Sequence, residues 1–113
     1  MKRSAVSFTL VATMSAALCI PALPSEAADA AAGRKKARQC QTCHGIDGIA
    51  KIPIAPHIAG ESEIYLVTQL KAFRSGKRTH EIMTVIAKDL SDQDMADLAA
   101  WYASIEITAT LPE

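Results

Sequence analysis

Two cysteines separated by two residues, with a histidine directly after the second, constrain this chain more than any other feature: Cys40-Gln41-Thr42-Cys43-His44. Thiols at that spacing can each add to a vinyl group of one haem, and the adjacent histidine then reaches the iron from the same side. A bare CxxC also reads as a redox disulfide or as half of a zinc site. Neither of those needs the histidine. Zinc would also want a second Cys/His pair, but the only other cysteine is Cys19 and no HxxxH follows.

The start of the chain reads as a secretion signal. Lys2 and Arg3 form a positive n-region, an apolar stretch runs roughly from Ala5 to Ile20, and Pro21 and Pro24 interrupt it. Ser25-Glu26-Ala27 places small residues where a signal peptidase reads them, which predicts cleavage after Ala27, with Ala28 or Ala30 as alternative starts. The stretch is short and rich in small residues for a membrane-spanning helix; an uncleaved anchor is the alternative. Leu18 is too large for the residue that precedes a lipidated cysteine, so Cys19 reads as discarded spacer. Export and haem attachment support each other, because such motifs receive haem outside the cytoplasm.

Of the 113 residues, cleavage leaves residues 28–113, a single domain of 86. A protein-only core is marginal at that size, so a covalently held apolar cofactor completes it, and the apoprotein is expected to fold poorly. Cleavage removes Lys2, Arg3 and Glu26 from twelve basic and twelve acidic residues and leaves ten and eleven, a net charge of −1. Two haem propionates bring this to about −3. That balance argues against a nucleic-acid partner and identifies no other.

Within the mature chain, residues 29–39 read as a short helix capped by Asp29 and rich in alanine, with Arg34, Lys35, Lys36 and Arg38 in solvent. Those cations read as an exposed helix face or a docking patch. Gly45, Gly48, Pro53, Pro56 and Gly60 mark a long loop, of the kind that is usually functional. Residues 61–75 read as a helix capped by Ser62 and closed by Gly76, with a stripe of Leu66, Leu70 and Phe73 widened by Ile64, Tyr65 and Val67. Residues 79–87 are apolar and partly helical and carry His80 and Met83. Ser91 with Asp94 opens a last helix along Met95, Leu98 and Tyr102, ending near Ser104. No strand pattern and no repeat is present.

In order, these pieces resemble a class I c-type cytochrome of the small bacterial single-haem kind, and one domain of the tandem two-haem proteins, over essentially the whole mature chain. The pieces are Cys40 to Gly45, the Pro56-His57-Ile58-Ala59-Gly60 stretch, the helix from Tyr65 to Arg78, Met83, Leu90-Ser91-Asp92, and Leu98 to Ser104. The resemblance implies an all-α fold of about four helices around one covalent haem c. The first and last helices would cross at Gly33, with Trp101 or Tyr102 beside it. It further implies His44 as proximal iron ligand, Met83 as distal ligand, and the Pro56 carbonyl as acceptor for the other ring N–H of His44.

Met83 also reads as core, beside Ile82, Val85 and Ile86, but it lies at the family's distance before Leu90-Ser91-Asp92. His80, three residues earlier, is its rival as ligand. Met95 sits on the stripe of the last helix and reads as core, and His57 as a surface or haem-edge residue. Lys51, Lys71, Lys77, Arg78 and Lys88 are candidates to surround the haem edge, and Arg78 to bind a propionate.

Three functions fit. The first is a periplasmic single-electron carrier between redox partners: a membrane cytochrome complex, a dehydrogenase, or a terminal oxidase or reductase. Nucleic acid and stable membrane insertion after cleavage are not expected. The second is a haem subunit held permanently in a dehydrogenase complex, for example a flavin-dependent sulfide dehydrogenase. The third is an enzyme or gas sensor with an open iron, which requires that Met83 does not bind.

Overall fold

Asp29 starts the folded chain. In the computed structural model, which describes residues 26–113, its carboxylate accepts from the N–H of Ala31 at 2.8 Å and opens helix α1, Ala30–Lys36. A 3-10 turn, Ala37–Gln39, tightens the end of α1. The expected signal segment lies almost wholly outside the described residues. Helix α2, Gln41–His44, is one turn formed by the CxxCH motif itself, and Gly45 ends it at φ +74°. Helix α3, Glu63–Ser75, begins at Ser62, whose hydroxyl accepts from Tyr65 N–H, and stops at Gly76 in the left-handed conformation. Helix α4 is Met83–Lys88. Helix α5, Asp92–Ala103, opens with a reciprocal capping box between Ser91 and Asp94. Among the described residues there is no strand; the fold is all-α, with α2 as a turn added to the four expected helices.

Helices α1 and α5 cross at Gly33. A Cβ there would lie 1.9 Å from the Asp97 carbonyl oxygen and 3.0 Å from Trp101 Cβ. Trp101 and the Asp97 backbone are therefore the neighbours, and Tyr102, one residue on, turns about 100° around α5 to line the cavity. The core follows the apolar stripe of α5. Met95, Leu98, Ala99 and Tyr102 are buried together with Ala37, Leu66 and Leu90.

One sequence expectation changes. Ile64 is 83% exposed and lies outside the α3 stripe, because two residues from Leu66 place it on the opposite side of a 3.6-residue helix. Asp97 is buried: its carboxylate accepts from Asp29 N–H and from the Gln93 amide, both at 2.9 Å. Those bonds tie the start of α1 to α5.

Candidate haem site

The loop from Gly45 to Gly60 has no regular element and is held by individual bonds. Lys51 N–H donates to the Cys43 carbonyl at 2.8 Å, and Ile58 N–H to the Gly48 carbonyl at 2.8 Å. Ala50 N–H donates to His57 Nδ1 at 2.9 Å. Two α5 side chains hold the start of the loop, with Trp101 Nε1–H donating to the Ile46 carbonyl and the Tyr102 hydroxyl to the Gly45 carbonyl, both at 3.0 Å. The loop thereby sets Pro56 against the CxxCH turn.

His44 is buried, and its Nδ1 lies 2.9 Å from the Pro56 carbonyl oxygen. A carbonyl only accepts, so Nδ1 carries the proton and Nε2 keeps its lone pair. A proline at that place has no N–H to compete, and its ring restrains the carbonyl.

Cys40, Cys43 and His44 all line one cavity of about 370 Å³, a volume within the range of pockets that take a small-molecule cofactor. Its walls come from every helix except α1. Ile58, Leu66, Leu70, Phe73, Ile86 and Leu98 make it mostly apolar. Ile54, Tyr65 and Ile82 line it too, although they are 64, 48 and 40% exposed, apolar surface that a flat macrocycle would cover. Two thiols on one turn, a histidine with a free Nε2 and an apolar cradle form a donor set that fits haem c.

Met83, Pro56, His80, His57 and Arg78 line the same cavity, whereas Met95 is fully buried in α5 and does not. Met83 enters at the start of α4. His80 precedes that helix rather than sharing its face. The His80 Nδ1 accepts from Ile82 N–H at 3.2 Å and from Met83 N–H at 3.4 Å, and His80 N–H donates to the Thr84 hydroxyl at 2.9 Å. His80 thus ties off the start of α4. Arg78 is held at the rim: it donates to the Gln69 side-chain oxygen at 2.6 Å, and its guanidinium lies 4.6 Å from the Phe73 ring centroid.

Burial pushes the Cys40 thiol up to about 11, against a smaller downward pull from the Tyr102 hydroxyl. A thiol that stays protonated is a poor nucleophile. Burial likewise pushes the Tyr102 phenol well above its ordinary range, and Cys40 beside it adds to the rise.

Sequence reasoning missed the side chains that hold this site from a distance, namely Trp101 on Ile46, Tyr102 on Gly45, and His57 on Ala50. An aromatic polar tip gives no local sequence signal for a partner 55 or 57 residues away.

The comparisons with known proteins agree with this geometry. The sequence profile described as Cytochrome c matches residues 30–106. Cytochrome c-554(548) of Halomonas halodenitrificans is 47% identical over 83 residues, covering 71% of this chain and 100% of that protein. Cytochrome c4 of Pseudomonas aeruginosa is 40% identical over 104 residues, covering 92% of this chain and 52% of that one. The crystal structure of reduced recombinant cytochrome c4 from Pseudomonas stutzeri superposes with a TM-score of 0.66 at 38% identity, over 71% of this chain and 47% of that one. The chain spans about half the length of these cytochrome c4 relatives. Its cofactor is haem c, and Cys40 and Cys43 occupy the CxxCH motif positions. With the cytochrome c profile matched across its helical region and a CxxCH turn built into one wall of the cavity, the chain belongs to the cytochrome c family.

Proposed function

We propose that the protein is a single-electron carrier of the bacterial periplasm, with His44 and Met83 as axial ligands. The observation that carries this reading is the pairing of a tautomer-fixed His44 with Met83 in one cavity. Bound haem c supplies an iron that takes up and gives back one electron. The residues around it define how. Pro56 fixes the His44 ring and its tautomer, and so presents Nε2 in one orientation. A thioether from Met83 is a soft donor that favours the reduced metal and raises the potential. His44 and Met83 would together hold the iron and leave no place on it for a substrate, the arrangement of a carrier rather than an enzyme. Tyr102, Trp101 and His57 hold the loop still, so little has to move when the charge changes.

Residues 1–27 act as the export signal in this reading. The folded domain begins with Asp29, whose N–H is anchored on Asp97. That anchor lies just beyond the expected cleavage point, and cleavage after Ala27 would remove the 3.3 Å bond from the Gln93 amide to the Ala27 carbonyl while Gln93 keeps its bond to Asp97. No described helix is long and apolar enough to cross a membrane. Redox proteins of the periplasm or its membrane are the partners.

The test is the absorption spectrum of the purified holoprotein in both redox states, with its intact mass. One added haem, a sharp low-spin reduced spectrum and a weak far-red thioether–iron band in the oxidised form are expected. A high-spin spectrum that shifts on adding carbon monoxide would overturn the carrier reading in favour of an open-site enzyme or sensor.

A further inference from the structure

We propose that the electron-transfer partner docks on α1 and the CxxCH turn, and that the surface it presents there is a cluster of carboxylates. This inference rests on the carrier reading and locates its contact. Four cations, Arg34, Lys35, Lys36 and Arg38, follow one another in α1 and its 3-10 turn, with no acid between Ala30 and Gln41 to balance them. Only Lys36 is paired, with Asp94 on α5. The other three are exposed and have no carboxylate partner among the described residues.

These three cations, together with Gln41 and Ile46, line a notch of about 180 Å³. The notch is built, not incidental. Trp101 lies under it: the Arg34 guanidinium stacks 5.5 Å from the Trp101 ring centroid, and the indole N–H holds the carbonyl of Ile46 at 3.0 Å. Arg34 is thereby fixed in place with its N–H fork free for a carboxylate. Gln41 stands between the two cysteines that carry the haem. A partner seated in the notch is therefore a few covalent bonds from the cofactor, at its attachment edge.

Of the cations elsewhere, Lys51, Lys71 and Arg74 are each engaged by Asp47 or Asp92. Lys77, Arg78 and Lys88 are without a carboxylate partner among the described residues, as Arg34, Lys35 and Arg38 are, but only the α1 set lines one notch. Contiguous free cations around one notch attract an acidic surface more strongly than scattered ones do. The Ile46 side chain on the rim gives the contact a small apolar element, as interface centres have.

The test uses the reduced holoprotein and an oxidised acidic blue-copper protein as probe, followed by stopped flow. In each encounter one electron leaves the haem iron and reduces Cu(II) to Cu(I). Lys35→Glu/Arg38→Glu keeps the Arg34–Trp101 stack and so leaves the fold its support. It is expected to slow the second-order rate about tenfold at low ionic strength, with the difference shrinking below about twofold at about 0.5 M salt. Lys77→Glu/Lys88→Glu, which changes the same charge away from α1, is expected to stay within about twofold of wild type. Equal rates for the α1 variant and wild type, or a larger loss in the Lys77/Lys88 variant, would overturn the proposal. Voltammetry on an uncharged electrode separates the two readings. A reversible one-electron wave with unchanged potential in both variants supports the carrier and isolates the docking effect; absence of any such wave in wild type overturns both.

Discussion

The Nδ1 of His80 lies 3.4 Å from the backbone N–H of Met83 and 3.2 Å from that of Ile82. The two rivals for the sixth position of the iron are thus arranged in series. His80 spends its Nδ1 lone pair on the N–H groups that open α4, which leaves its proton on Nε2. To bind a metal through Nε2 it would have to move that proton to Nδ1 and surrender both bonds. Met83 carries no such conflict.

The first prediction follows from that series. Met83→Ala should abolish the far-red band of the oxidised protein and lower the midpoint potential, because a soft ligand to the reduced state is lost. His80→Ala should keep the band and cost only the cap, about 1 kcal/mol in denaturant unfolding. Loss of the band in His80→Ala with its retention in Met83→Ala would reverse the assignment.

The α1–α5 crossing supplies a second prediction. Gly33 has an ordinary helical φ, so its requirement is space rather than conformation: a Cβ would fall 1.9 Å from a backbone oxygen of α5, which cannot rotate away. Gly33→Ala should therefore force the helices apart and destabilise the holoprotein by about 2–3 kcal/mol in urea. Gly76→Ala makes the comparison, since nothing lies within 4 Å of its Cβ but its φ is +78°. It should cost about 1 kcal/mol through backbone strain alone.

How much of this was legible in the sequence divides along chain distance. The caps at Asp29, Ser62, Gly76 and Ser91 are local chemistry, confined to about one helical turn, and each appears where the sequence places it. The CxxCH turn is likewise local. The stripe of α5 is periodic and reads directly, and Met95 takes its core place there. Asp97 does not read, because its burial depends on Asp29, 68 residues earlier. Periodicity could not choose between Trp101 and Tyr102 at Gly33 either, since adjacent residues differ by about 100° and the choice turns on the phase of the crossing. Ile64 failed for the same reason, one apolar residue taken into a stripe that its angle excludes. The loop had neither period nor cap, so only its proline and glycine positions were readable.

The aromatic ties to the loop give a third prediction. The Tyr102 hydroxyl is buried and its acceptor is the Gly45 carbonyl, next to His44. Tyr102→Phe leaves that carbonyl without its donor and should cost about 1–2 kcal/mol. Because the bond steadies the turn that carries His44, the variant should also show faster amide exchange at Gly45 and Ile46 with the low-spin spectrum retained. Unchanged stability and unchanged exchange would show that the bond holds nothing.

Acid unfolding supplies the last prediction. The Lys36 ammonium beside Asp94, helped by the N–H and hydroxyl of Ser91, holds the Asp94 carboxyl down at about 2 against an ordinary 3.8. A carboxyl lowered by folding adds stability that is fully present above its unfolded value and is lost as pH falls through its folded one. The loss should therefore run from about pH 4 to pH 2, and it amounts to about 1 kcal/mol once solvent screening of this surface pair is allowed for. Lys36 works in the other direction: its pKa is raised by the same bond to Asp94, so its share persists until pH climbs above 10.5. Asp94→Asn should flatten the acid limb of the stability curve between about pH 4 and 2. Lys36→Met should flatten it less, since the Ser91 bonds remain. Salt separates the two contributions, because about 0.5 M sodium chloride weakens the ion pair and leaves the capping box intact. Wild type in high salt should then follow the Lys36→Met curve, and an acid limb that ignores both substitutions would place the loss of stability elsewhere in the molecule.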